Sequence, residues 1–269
     1  MSRAAPGDPT GPDAFSSSPE MDDARDAIRT GNGAVILTGA GVSAESGVPT
    51  FRDRDGLWAR YDPQELATPE GFRRDPVKVW EWYDLRRKVI LGCSPNPGHH
   101  AIARFLAARD DATLVTQNVD GLHRRALEAE DMDASRVTVL ELHGNLARTR
   151  CSGCSFRRWD PDPVEARDLD TLPRCPECKA LLRPDVIWFG EMLDARTLET
   201  AFLRAREADV CVVAGTSALV HPAASVPLAT LEGGGLLIEV NPEETPLTRA
   251  ARWSLRGPAG RVLPRLLEV

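Results

Sequence analysis

Residues Ala34 to Thr38, AVILT, form a short apolar run that passes straight into Gly39-Ala40-Gly41 and then into the small-residue segment Val42-Ser43-Ala44. A buried strand feeding a glycine turn and a helix start is the opening unit of a parallel α/β sheet. The same turn can cradle phosphate, because glycines let backbone N–H groups approach a pyrophosphate and a helix N-terminus favours an anion. Short G-x-G matches also occur in ordinary strand-to-helix turns, so the motif alone leaves nucleotide binding open.

Further β-type runs lie at Thr113 to Thr116, Val137 to Leu142, Val210 to Ala214 and Leu236 to Val240. Helical patterns such as Gly98 to Ala108 and Ala195 to Ala208 separate them. This alternation predicts an α/β fold with a Rossmann-like, mostly parallel sheet covered on both faces. Ligands in such sheets bind beyond the carboxyl ends of the strands. Here those ends carry Thr116-Gln117-Asn118-Val119-Asp120, Leu142-His143-Gly144, Gly215-Thr216-Ser217 and Asn241-Pro242-Glu243. Met1 to Glu20 is rich in Pro, Gly, Ser and Asp without apolar periodicity and reads as a disordered tail. A helix follows over Asp22 to Thr30, ended by Gly31-Asn32-Gly33.

Two segments interrupt the alternation: Phe51 to about Asn96, helical and rich in Trp, Arg and Pro, and Arg148 to about Arg183, which holds four of the six cysteines. A chain of 269 residues accommodates one substantial core plus such a module. The net charge of −7 argues against general affinity for nucleic acid or anionic membrane. There is no apolar run of membrane-span length and no signal-peptide plan, so a cytoplasmic protein is expected, with cysteines kept as thiolates.

Cys151-x-x-Cys154 and Cys175-x-x-Cys178, separated by 20 residues, have the spacing of a four-thiolate zinc site. Four protein ligands leave no open coordination position, which makes such a metal structural. Cys93 and Cys211 read as buried or incidental thiols. His143, at the end of an apolar β-run, is a candidate base near neutral pH, the alternative being a histidine satisfied at a core edge. His123 is a second candidate, for which helix capping or packing competes. A dinucleotide dehydrogenase should carry an acidic residue about 20 positions after the glycine turn. The Arg-rich insertion occupies that interval, which disfavours hydride transfer.

Taken together, GAGVSAESGVPTFRDRDGLW, TQNVDGLH, LHG, the paired CxxC motifs, FGE at Phe189 to Glu191, GTS and EVNPEETPLT resemble the signature set of the sirtuins, NAD-dependent protein-lysine deacylases. The resemblance runs from about Met21 to the C-terminus with the motifs in family order. It implies a large Rossmann-type part (21–50, 97–147, 184–269) and a small domain built from the helical insertion (51–96) and the zinc module (148–183). NAD would lie between them as a consumed co-substrate. By motif position, Gly39, Ala40, Gly41 and Ser43 would line the pyrophosphate, and Arg52 would sit near the phosphate and nicotinamide ribose. Gln117, Asn118 and Asp120 would hold the nicotinamide and its ribose. Gly215, Thr216, Ser217, Asn241 and Ala259 would meet the adenosine side. His143, with Asn118, would be catalytic, His143 acting as base on a ribose hydroxyl, and nicotinamide and O-acyl-ADP-ribose would be the products.

The helix VKVWEWYDLRRKVI places Val79, Tyr83, Arg86 or Arg87, and Ile90 at its period. An arginine there could simply snorkel. Tyr83-x-x-Arg86 is, however, similar to the pair by which desuccinylase-type sirtuins recognise an acidic acyl group, and Ala67 matches the small residue of that subgroup's pocket. A phenol and a guanidinium one turn apart can converge on one carboxylate. Succinyl-, malonyl- or glutaryl-lysine substrates are thus implied, with deacetylation also possible. Phe189-Gly190-Glu191 and Val220 match the segments flanking a substrate peptide bound as an added β-strand. His221 departs in detail from the family pattern, and the FRDRDGLW loop lacks the Gly-Ala-Gly form of some desuccinylase-type relatives. Transfer of ADP-ribose to protein, or a nucleic-acid-binding zinc ribbon, are the competing readings.

Overall fold

The structure is a computed structural model that describes residues 18–49, 62–133 and 135–268. Arg52 and the rest of FRDRDGLW lie outside the described residues, as does nearly all of the proline-rich N-terminus.

Six strands form one parallel sheet: β1 (Ala34–Thr38), β2 (Ala112–Thr116), β3 (Thr138–Glu141), β7 (Val210–Ala214), β8 (Leu236–Val240) and β9 (Trp253–Leu255), in the order β3-β2-β1-β7-β8-β9. Every residue of β1, β2 and β7 is buried, as expected for strands covered on both faces. The two-residue period sorts their side chains. Ala34 and Ile36 face α1 (Pro19–Thr30), α5 (Pro97–Ala108) and α9 (Ala259–Leu266). Val35 and Leu37 face α7 (Ala195–Glu207) and α8 (Val226–Glu232). Helix α1 opens at Pro19, earlier than its apolar pattern suggests, because the Ser18 side chain accepts from the Met21 amide and proline occupies the first turn.

Chain order reverses at β1, whose neighbours are β2 on one side and β7 on the other. Such a reversal places a crevice beyond the carboxyl ends of these strands, the side of the sheet on which the polar clusters after β2, β3, β7 and β8 all lie.

The second part combines α2 (Pro63–Leu66), α3 (Pro69–Arg74) and α4 (Pro76–Gly92) with an antiparallel sheet ordered β5 (Arg157–Trp159), β4 (Gly144–Cys151), β6 (Leu182–Val186). Asp75 caps α4 by accepting from the Lys78 amide, and Pro76 fills its first turn. Helix α4 buries Val79, Trp80, Trp82, Tyr83, Arg87 and Ile90. The Trp80 indole donates to the Leu182 carbonyl at 2.9 Å, and Arg87 donates to the carbonyls of Asp162 (3.1 Å) and Arg148 (3.2 Å). Arg87 thus fastens α4 to the cysteine-bearing module. This resolves which of the adjacent arginines faces which way, since the Arg86 guanidinium lies over the Trp82 and Tyr83 rings, 4.9 and 5.5 Å from their centroids.

Candidate active site

The glycine turn after β1 interlocks with the turn after β7. The Gly39 amide donates to the Ala214 carbonyl (3.1 Å) and the Gly41 amide to the Gly215 carbonyl (2.8 Å). A Cβ on Gly41 would lie 2.7 Å from the Gly215 oxygen, and one on Gly215, whose φ is +59°, would lie 2.4 Å from the Val42 nitrogen. The motif needs glycine here for the approach of two backbones, not only for a ligand. Residues Ala40–Ser46 then form a 3-10 helix closed by left-handed Gly47.

Beneath this turn lies a buried polar network. The Ser43 hydroxyl donates to Asp120 Oδ2 at 2.8 Å and accepts from Asn118 Nδ2 at 3.2 Å, with His99 Nε2 at 3.3 Å. The Asn96 amide donates to His99 Nδ1 at 3.3 Å, so His99 carries its proton on Nε2 and donates it to Ser43. Burial holds His99 neutral, with its pKa pushed down to about 2, and raises the Asp120 carboxyl above its usual range. Asp120 Oδ1 also accepts the Leu122 amide, which opens α6 (Leu122–Ala129). His123 is packed against His99, ring centroids 4.8 Å apart, with Nε2 3.0 Å from the Thr38 hydroxyl; burial lowers its pKa to about 4. It belongs to the packing alternative. Sequence reasoning missed Asn96 and His99. Their signal was the Asn-Pro-Gly-His start of α5, a capping box in which Asn96 and His99 bond reciprocally.

His143 follows β3 at the crevice rim and is half-buried. Its Nδ1 lies 3.0 Å from the Gln117 carbonyl, which can only accept, so Nδ1 carries the proton and Nε2 presents a lone pair. Burial pulls the pKa below the ordinary imidazole value, against the opposing effect of that carbonyl. A neutral imidazole with a fixed tautomer is suited to accept a proton near neutral pH. The Gln117 side chain donates to Thr216 Oγ1 at 3.0 Å, tying the end of β2 to the loop after β7.

On the far side, Asn241 Nδ2 donates to the Thr216 carbonyl at 2.7 Å, Ser217 is half-buried, and Ala259 is buried at the start of α9. The Gly260 amide at that helix start donates to Glu45 at 2.6 Å. Behind Asn241, the buried Glu239 carboxylate accepts from Thr248 (2.7 Å) and pairs with Arg256 (2.9 Å), whose guanidinium also reaches the Glu243 carbonyl (2.8 Å). Gly39, Ala40, Gly41, Ser43, Gln117, Asn118, Asp120, Gly215, Thr216, Ser217, Asn241 and Ala259 are thus gathered around the carboxyl ends of the parallel strands, where the glycine turn and the helix start after it suit a dinucleotide's phosphates.

The described part of the helical insertion packs against the end of β6 and the segment after it. Tyr83, Ala67, Phe72 and Trp188 share one buried cluster. Trp188 Nε1 donates to the Tyr83 hydroxyl at 2.8 Å, and burial holds that phenol up at about 12. The Phe189 amide donates to the Ala67 carbonyl at 2.8 Å. Glu191 is tied to β6 and to its own loop: it accepts both arms of Arg183 (2.6 and 2.9 Å) and the Trp188 amide (2.8 Å). Phe189, Gly190, Met192, Leu219 and Val220 are exposed nearby in sequence, forming two loops with apolar surface.

The ligand atoms of Cys151, Cys154, Cys175 and Cys178 all lie within 4.8 Å of one another. The Cys151–Cys178 and Cys154–Cys175 sulfurs are 3.3 and 3.6 Å apart. Thiolates about 2.3 Å from a tetrahedral zinc ion stand about 3.8 Å apart, so the quartet fits that ion with no position left over. Cys93 and Cys211 are buried elsewhere.

The Sir2 family model matches residues 39–222. The chain is 49% identical over 237 residues to an NAD-dependent protein deacylase of Pyrococcus furiosus, covering 87% of this chain and 92% of that protein. It superposes on a Sir2 homolog in complex with NAD with a TM-score of 0.82 at 46% identity, covering 91% of this chain and 92% of the other. A Sir2 mutant bound to deacetylated p53 peptide and 3'-O-acetyl ADP-ribose superposes with a TM-score of 0.79 at 30% identity, covering 92% and 97%. No helix among the described residues is long and apolar enough to cross a membrane.

Proposed function

The chain belongs to the Sir2 family, and on that premise we propose how this NAD-dependent protein deacylase divides the work and which acyl groups it prefers. In the family's reaction the bond between nicotinamide and ribose breaks, the acyl group passes to the ribose with consumption of one water molecule, and free lysine, nicotinamide and O-acyl-ADP-ribose leave. His143 Nε2 takes the proton of a ribose hydroxyl, in keeping with the tautomer that the Gln117 carbonyl imposes. Asn118 and Asp120, held by Ser43, orient the nicotinamide end, with Gln117 beside them. Gly39, Ala40 and Gly41 take the pyrophosphate, with Arg52 near it, and Gly215, Thr216, Ser217, Asn241 and Ala259 take the adenosine half. The cysteine quartet holds a structural zinc ion.

The parallel sheet is the large part of this reading; the helical insertion and cysteine module are the small one. An acyl-lysine peptide enters as an added strand between the loops of Phe189-Gly190-Glu191 and Val220. Support comes from their exposure and from the Phe189–Ala67 hydrogen bond, which sets one loop against the helical insertion. The free cysteines agree with a cytoplasmic setting.

The preferred substrates are lysines bearing succinyl, malonyl or glutaryl groups. The observation that carries this is the pairing of Tyr83 and Arg86, one turn apart on α4, with the guanidinium 5.5 Å from the phenol ring and small Ala67 in the same cluster. A neutral phenol donor and a planar cation suit one terminal carboxylate. Comparing Arg86→Met with the parent on succinyl- and acetyl-lysine peptides tests it. The succinyl-to-acetyl ratio of kcat/KM should fall at least about tenfold, in line with losing a charge-assisted hydrogen bond; an unchanged ratio would make Arg86 structural.

A further inference from the structure

Tyr83 does not stand alone in its pocket. Its phenol is fully buried, and among the described residues its hydrogen-bond partner is the indole of Trp188, 105 positions away in sequence, whose Nε1 lies 2.8 Å from the hydroxyl oxygen. An indole N–H can only donate, so the phenol oxygen must accept, and its own hydrogen has to point elsewhere. Accepting one hydrogen bond also strengthens the hydroxyl as a donor in the next.

Trp188 is itself held on several sides. Its backbone N–H donates to Glu191 Oε2 at 2.8 Å. The Arg183 guanidinium lies 3.3 Å from its ring centroid and is fixed by both Glu191 oxygens and by the Val186 carbonyl at 2.7 Å. Phe72 packs on it with ring centroids 5.4 Å apart. A ring clamped in this way cannot turn its N–H from Tyr83 without breaking the cluster. Glu191, placed by motif among the substrate-binding residues, thereby acquires a concrete task, since its carboxylate braces the ring that orients the phenol.

We infer that Trp188 is a positioning residue for acyl selectivity: its indole N–H fixes Tyr83 as a hydrogen-bond donor aimed at the terminal carboxylate of an acidic acyl group. This rests on the Tyr83–Arg86 reading above. A neutral acyl group such as acetyl has no acceptor at that depth and gains nothing from the arrangement. The burial that keeps the phenol protonated well above neutral pH also avoids placing a phenolate against a carboxylate.

The test is a double-mutant cycle on the ratio of kcat/KM for succinyl- over acetyl-lysine peptide, using Trp188→Phe, Tyr83→Phe and the pair, with Arg86→Met alongside. Trp188→Phe should lower the ratio about three- to tenfold, the size of one neutral hydrogen bond, and should change it less than about twofold when Tyr83→Phe is already present. Equal effects in both backgrounds, or no effect while Arg86→Met still lowers the ratio, would overturn the role of Trp188 and leave the acidic-acyl reading standing. If Arg86→Met leaves the ratio unchanged, that reading fails and the inference with it. Should Trp188→Phe not fold, the benzothienyl analogue at position 188, which replaces the N–H by sulfur at nearly constant shape, gives the same comparison: an unchanged ratio there overturns the inference, and a lowered one supports it.

Discussion

His143 and Cys151 stand at opposite ends of one strand: β4 begins at Gly144, the residue after the histidine, and ends at the first cysteine of the metal quartet. The neighbouring β6 completes a ladder, and just beyond it the Ile187 amide donates to the His143 carbonyl at 2.9 Å. The backbone of the candidate base is therefore held by the same two strands that lead into the cysteine module.

Metal removal should act through that ladder. Chelation is expected to abolish turnover together with the hydrogen-exchange protection of β4 and β6. Cobalt substitution should restore turnover with the absorption of a four-thiolate site and leave the pH profile unchanged. A cobalt-shifted pH profile would point to metal-bound water in the chemistry and contradict a structural role.

Gly144 offers a second route to the same ladder. Its φ is +84°, and an added Cβ would sit 2.1 Å from the Asp185 carbonyl oxygen. Gly144→Ala should cost more than about 1 kcal/mol in denaturant unfolding and lower turnover, although position 144 carries no reacting group. Unchanged stability and rate would mean that the His143 backbone is not held by β4–β6 packing.

Removal of the imidazole itself should be felt in chemistry rather than in folding. His143→Ala is expected to lower kcat by about 10² to 10⁴ with an unaltered circular dichroism spectrum. In the parent, kcat/KM should fall as pH drops through the pKa of His143. Since burial depresses that value, the acid limb belongs below the ordinary imidazole pKa of about 6.5. An acid limb above 7 would assign the base elsewhere.

Acid should also destabilise the fold through His99 and His123, whose pKa values are pushed down to about 2 and about 4 by burial. Below about 6.5 the unfolded chain binds protons that the folded chain refuses, so stability is intact above that pH and declines as pH falls toward 4. His123 alone accounts for about 3 kcal/mol of this decline. Asp120, raised by burial, contributes with opposite sign near the lower end. Unfolding free energy measured from pH 7 to 4 should lose about one proton's worth of slope in His123→Gln; an unchanged slope would rule out its titration.

The parallel strands β1, β2, β7 and β8 were legible to within a residue, because strands buried on both faces must be continuous apolar runs. β4 and β6 were not. GNLARTRC and LRPDV look polar until Arg148 is seen bonded to Glu141 at 2.8 Å and Asp185 at 3.2 Å. The cysteine quartet and His143 could be found from local spacing and strand ends. Trp188 could not, since its partner Tyr83 comes from a distant segment, and the capping signal at Asn96 and His99 says nothing of their contacts with Val42 and Ser43. Gly39 and Gly41 were found for a ligand-centred reason, whereas their amides also serve the contact with Ala214 and Gly215. Such roles exist only after the chain has closed on itself.

NAD-consuming acyl transfer with preference for an acidic acyl group is the chemistry proposed for this protein. Its most direct test is to follow nicotinamide release and nucleotide products by mass spectrometry with NAD and equal amounts of succinyl- and acetyl-lysine versions of one peptide. One O-succinyl-ADP-ribose and one free lysine should form for each nicotinamide, faster than the acetyl products. ADP-ribose attached to the peptide, or acetyl products formed as fast as succinyl ones, would contradict it.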